Sequence, residues 1–204
     1  RKNTKYLLKK AHPLMEIYRE EKRAALFDFL EKDSHEEGLR RRILAAPPLF
    51  VIPQEVLKQI LAENRISRQE CAGILKAHAR EQRRIESILT HSQVIDELSQ
   101  VTKAEYEKYP AVLPVAECFL EKDILLTYQE YRTCVEAAMA YADAHKNYQF
   151  SLIKAKGFHN IQITCRMEKW CMVSKNKTPS IHFVIHHPKL RYALENMILP
   201  IRDS

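Results

Sequence analysis

Between Tyr148 and Ile198 the hydrophobic period changes from helical to strand-like and back, and no other feature restricts the fold as much. Gln149 to Lys154, Asn160 to Arg166, Trp170 to Val173 and Ser180 to Ile185 are short apolar or alternating runs separated by polar and turn-forming residues. Such runs read as strands that each bury one side. His187-Pro188 ends the last run. Beyond it Leu190, Ala193, Leu194, Met197 and Ile198 recur at helical spacing, which predicts a terminal amphipathic helix closing a sheet. Strands gathered after a long helical region predict an α+β fold, with a helical N-terminal region followed by a small, mostly antiparallel sheet packed with helices. The expected division is a linking or dimerising region over 1-100 and an α+β domain that senses a signal or binds a partner over 101-204.

Upstream, Leu14, Ile17, Tyr18, Ala25, Leu26, Phe29 and Leu30 mark one amphipathic helix ending near Asp33-Ser34. A second, short helix is expected from about Glu36 to Ala45, stopped by Pro47-Pro48, with a connector to Pro53. Pro53 suits the first turn of a helix through Val56, Leu57, Ile60 and Leu61. Ser67 with Glu70 three residues on forms a capping box for the next. Along that helix Arg80 to Arg84 reads as a solvated face. Val112, Leu113, Val115, Cys118, Phe119 and Leu120, interrupted by Pro114, read as buried irregular chain or an edge strand. Thr127 caps a helix to about Lys146, whose stripe of Tyr131, Val135, Ala138, Met139 and Ala142 suits packing on the sheet.

A length of 204 residues with 46% hydrophobic content excludes a disordered chain. Only 3 glycines are present, and neither a P-loop nor a dinucleotide fingerprint occurs. The net charge of +7, from 33 basic and 26 acidic residues spread along the chain, permits a nucleic acid nearby without requiring one. Five cysteines, Cys71, Cys118, Cys134, Cys165 and Cys171, are widely spaced and read as reduced core thiols of a cytosolic protein. No apolar run approaches the ~20 residues of a membrane span, and no signal-peptide core follows the basic start, so a cytoplasmic protein without a membrane partner is expected. A start at Arg1 rather than methionine fits a piece of a longer product.

Several constellations carry candidate chemistry. Leu61 to Lys76 imitates a helix-turn-helix, with Ser67 capping a second helix from which Arg68, Gln69 and Lys76 would meet DNA. Its turn is one residue short and lacks glycine. Lys154, Lys156, His159, Arg166, Lys169 and His182 are candidate ligand-binding residues, if a cleft between the Thr127 helix and the sheet gathers them. Direct DNA binding and a small enzyme or nucleotide-handling module with such a basic cleft are the alternative readings. His182, His186 and His187 near Cys165 and Cys171 offer donors to zinc, but no tight grouping fixes four ligands, so no metal site is assigned. His187-Pro188-Lys189 matches the His-x-Lys start of a phospholipase D motif, yet Leu194 stands where that motif wants aspartate. No nucleophile elbow occurs, so no catalytic residue and no cofactor are assigned.

Asn147-Tyr148-Gln149-Phe150, Phe158-His159-Asn160-Ile161-Gln162-Ile163, Trp170 to Ser174, Pro179-Ser180-Ile181-His182-Phe183-Val184 and His187-Pro188-Lys189-Leu190 follow one another in the last third of the chain. This order resembles the carboxy-terminal region of Firmicutes transcriptional regulators of the XRE family, which carry a lambda-repressor-like helix-turn-helix at the amino terminus. Weaker likeness reaches back to Ile52-Pro53-Gln54-Glu55-Val56. The resemblance implies a regulatory, signal-sensing or dimerising portion whose DNA-binding domain lies upstream of Arg1, acting as a homodimer with a small-molecule effector of unknown identity. The family's Gln-x-x-Leu-Ala core has no full counterpart after Arg1, and no ligand-binding residue is carried over from it.

Overall fold

Parallel strands need helical crossovers, whereas antiparallel ones need only turns, and this chain uses both within one sheet. The computed structural model describes residues 14–115, 120, 122–154 and 159–198. Its strands are β1 (Met15–Tyr18), β2 (Arg40–Leu44), β3 (Val94–Ser99), β4 (Tyr148–Ile153), β5 (Ile161–Arg166), β6 (Trp170–Lys175) and β7 (Ile181–Ile185). They lie in the order β1-β7-β6-β5-β2-β3-β4. β2, β3 and β4 run parallel, and every other pairing is antiparallel. The expected α+β class holds, with a mostly antiparallel sheet.

Helices supply the crossovers. α1 (Arg23–Ser34) joins β1 to β2; α2 (Gln54–Glu63) and α3 (Arg68–Leu89) join β2 to β3; α4 (Lys103–Lys108) and α5 (Tyr128–Ala144) join β3 to β4; α6 (Pro188–Ile198) follows β7. Complete capping boxes, Ser67 with Glu70, Thr102 with Glu105 and Thr127 with Glu130, start α3, α4 and α5. Each satisfies orphan amides at the helix start and contributes about 1 kcal/mol.

The register sorts side chains to two faces. The near face, carrying Arg42, Leu44, Leu98, Thr164, Met172 and Val184, is covered by α1, α3 and α5. There Leu44, Ile52, Leu57, Ile60, Ile74, Leu98, Leu126 and Tyr131 share one core, and Tyr18, Leu26, Trp170, Met172 and Val184 form a second beneath α1. Burying one such leucine fully contributes about 2 kcal/mol. The far face carries Ile43, Ile163, Cys165 and Cys171, packed with Ile198 of α6.

Four expectations need correction. The helix predicted to begin at Leu14 opens instead with β1, because Met15 to Tyr18 pairs along β7, and the helix starts only at Arg23. The helix predicted from Glu36 to Ala45 is replaced by β2, in which Arg40, Arg41 and Arg42 each meet a buried carboxylate, Asp33, Glu97 and Asp96 respectively. Gly38 leads into it at φ 144, a conformation open to glycine. The division near residue 100 does not describe the molecule: β1, β2 and β3 belong to the same sheet as β4 to β7, and a cut there would sever the β3–β4 ladder. Cys165 and Cys171, read as reduced thiols, are directly opposed on β5 and β6 and joined as a disulfide. Among the segment read as irregular chain, Val112 and Leu113 are buried, whereas Cys118 and Phe119 lie outside the described residues. No helix among the described residues is long and apolar enough to cross a membrane.

Candidate functional site

Between α1 and α3 the near face is left uncovered over β2, β5 and β6, and a cavity of about 120 Å³ forms there. Strand alternation places its polar floor: Arg42 from β2, Gln162 and Thr164 from β5, Ser174 from β6, and Asn176 just beyond. Its walls are mostly apolar, from Ala77, Ile85 and Ile88 of α3, Leu30 of α1, and Met172, with Glu81 and Arg84 of α3 beside them. A preformed apolar cavity with a few convergent polar groups is the usual form of a small-molecule site. An engineered cavity of ~150 Å³ in another protein holds benzene, so roughly five or six non-hydrogen atoms fit here.

Arg42 is held from behind. It donates from Nε to Asp96 Oδ1 at 2.6 Å and from Nη2 to Oδ2, and Tyr148 donates its hydroxyl to the same carboxylate at 2.8 Å. Burial alone would disfavour the Arg42 cation, but the Asp96 carboxylate more than offsets it and raises its pKa. The buried Asn176 Nδ2 lacks a hydrogen-bond partner among the described residues. It is a donor, so an occupant presenting an acceptor oxygen would complete it.

At one end of the cavity Asp33 collects three elements. Its Oδ1 accepts from Arg166 Nη1 and Trp170 Nε1, both at 2.8 Å, and its Oδ2 accepts from Arg40 Nη2 at 3.1 Å. Arg40 and Trp170 also line the cavity. With Arg40 paired to Asp33, Arg42 paired to Asp96, and Arg84 and Glu81 both on its wall, the cavity carries no large uncompensated charge. It therefore selects by shape and hydrogen bonding.

Ser174 and His182 bring a hydroxyl and an imidazole within 2.8 Å. Burial lowers the His182 pKa to about 4. That is roughly three units below a base poised near neutrality, too weak to activate a hydroxyl efficiently. Burial pushes the Cys134 thiol up to about 12, which leaves it inert at neutral pH. Among the described residues no three of His, Cys, Asp and Glu group as a metal site. His182 lies on the opposite face from Cys165 and Cys171, whose sulfurs are bonded to each other. Pro188 is the first residue of α6, as expected for a helix-starting proline after His187.

The chain matches no protein-family model, no curated protein and no solved structure. The site must be judged on its own geometry.

On that geometry, the basic residues singled out from sequence are not gathered. Lys154 is exposed just after β4, Lys169 is exposed in the β5–β6 turn, and Arg166 is buried against Asp33. His159 stacks on Tyr109 at 4.3 Å between ring centroids. His182 is buried beside Ser174, and Lys156 lies outside the described residues. His159 and Arg166 stand at opposite ends of β5, and none of the described five lines the cavity. A shared basic cleft does not form, because α5 packs Tyr131, Val135 and Ala138 into the core where that cleft would open. Arg68, Gln69 and Lys76 are all exposed near the start of α3. Arg65, at φ 52, takes the left-handed turn position between α2 and α3 where a glycine was missed. Ser174, Thr164 and Asn176 escaped notice because polar residues alternating with apolar ones in a strand read as facing solvent.

Proposed function

We propose that this chain is the regulatory portion of a bacterial transcriptional regulator of the XRE type, cytoplasmic and dimeric, whose helix-turn-helix lies upstream of Arg1. The cavity over β2, β5 and β6 receives its small effector. The observation that carries this reading is the cavity itself, largely apolar on its walls, with a buried donor on Asn176 that no described residue satisfies. With five or six atoms at a ceiling of about 1.5 kcal/mol each, micromolar affinity is attainable. α1 lines the cavity through Leu30 and follows β1, the first strand after the amino terminus. An occupant that wedges α1 from α3 therefore acts on the segment leading to the DNA-binding domain. Coupling of this kind is typically 1–3 kcal/mol, or about 5–150-fold in operator affinity.

A second reading, direct DNA contact through Leu57-Lys76, draws on the α2–α3 turn and the exposed Arg68, Gln69 and Lys76. Fluorescence anisotropy of the full-length gene product on its own promoter DNA separates the two. Binding is expected to require the segment upstream of Arg1 and to survive Arg68→Ala. An upstream catalytic domain would overturn the proposal. Full affinity in the isolated 204-residue chain, lost in Arg68→Ala, would favour the second reading instead.

A further inference from the structure

The described residues roof the far face of the sheet only in part. α6 crosses it with Leu194 and Ile198 against Ile43, Ile163 and Cys165. The register places Met15, Ile17, Ile161, Ile181, Phe183 and Ile185 on the same face, and none of them is buried. α6 adds an apolar stripe of its own: Leu190, Ala193 and Met197, spaced i, i+3, i+7, are all exposed. Met15 is 39% exposed, Ile161 37%, Leu190 54% and Met197 42%. β1 beside them is the outer strand of the sheet, with one edge unpaired among the described residues.

The extent of this surface indicates its occupant. Taking a large apolar side chain as ~150–200 Å² when fully exposed, these residues present on the order of 400–500 Å² of apolar surface. A standard interface uses about 800 Å² per partner, a little over half of it apolar, so the two quantities agree. Lys175 lies on this face between Ile161 and Ile181, but a single base among so many apolar positions disfavours nucleic acid as the occupant. A largely apolar patch is also complementary to itself, the condition for a two-fold interface.

We propose that a second copy of this chain docks on the far face, with Leu190, Met197 and Phe183 buried across a two-fold axis. The inference rests on the regulatory reading only for its purpose, since paired DNA-binding domains need a paired support. Sedimentation equilibrium of the 204-residue chain at micromolar concentration tests it. The wild type is expected to be a dimer, Leu190→Glu and Met197→Glu each to weaken association by about tenfold or more, and the double variant to be a monomer with unchanged circular dichroism. Tyr192→Glu, on another side of α6, is expected to remain dimeric. A monomeric wild type, or a dimer indifferent to the double variant, overturns the interface. Either result is separate from the promoter experiment, which can fail while dimerisation stands.

Discussion

Asp33→Ala is expected to destabilise the protein by about 3–5 kcal/mol, the range found when one partner of a buried ion cluster is removed. Asp33 is only 8% exposed, and its carboxylate neutralises two guanidinium groups, Arg40 and Arg166, that are themselves buried. It also accepts the indole N–H of Trp170. Alanine would leave Arg40 with backbone carbonyls alone, Arg166 with the Glu37 carbonyl and a distant Glu36 carboxylate, and the indole N–H without an acceptor, at the point where α1, β2, β5 and β6 meet. Against a total stability of about 5–15 kcal/mol, that is a large share. Asp33→Asn retains an acceptor oxygen but loses the charge, so it should fall between. Urea unfolding measures this as a lowered midpoint with little change in slope. A loss below ~1 kcal/mol would mean that α1 is held to the sheet by its Leu26, Phe29 and Leu30 contacts alone.

Mild acid is the second large effect. The His182 pKa is lowered from 6.5 to about 4 by burial, so in the unfolded chain the same imidazole takes up its proton first. The stabilisation is complete above pH 6.5, is lost as pH falls, and levels off below about 4. Integrated, it amounts to about 3 kcal/mol, of which about 2 is gone by pH 5. His78, which contacts the Ile52 carbonyl at 2.9 Å, is also shifted down by burial and acts in the same direction. Urea unfolding at pH 7 and pH 5 should register the difference. His182→Leu should flatten it, although the wild type would remain more stable at pH 7, because leucine leaves the buried Ser174 hydroxyl without its ring partner. Equal pH dependence in both proteins would place the acid sensitivity elsewhere.

How far the fold is legible depends on where the partners of each residue lie. β4 to β7 can be read from Gln149 to Ile185 because their apolar positions alternate locally. α3 and α5 can be read because Ser67 with Glu70 and Thr127 with Glu130 are complete signals within four residues. β2 is hidden. Arg40, Arg41 and Arg42 give no apolar pattern, and the groups that make their burial tolerable include Asp96 and Glu97, 54 and 56 residues away. β3 is hidden for the complementary reason, since Asp96 and Glu97 interrupt Val94, Ile95 and Leu98 and are buried. The candidate site was missed by the same mechanism. Thr164 shares the polar phase of β5 with Gln162 and Arg166, which points to water in a one-sided sheet, but here α1 and α3 come down on that phase, and the Ser174 hydroxyl follows Trp170 and Met172 on the same face. Only the crossover topology, set by pairings such as Arg40 with Val94 and Val94 with Tyr148, turns those hydroxyls into the floor of a cavity.

Occupancy of that cavity is therefore the quantity to measure. Equilibrium dialysis of the 204-residue protein against a small-molecule extract of its own cells, read by mass spectrometry, should enrich a compound of roughly five or six non-hydrogen atoms bearing acceptor oxygens. Ala77→Leu, which places a branched side chain into the about 120 Å³ space from the wall of α3, should abolish the enrichment while preserving the fold. Identical retention by the two proteins, or none by either, would contradict a sensing role for this site.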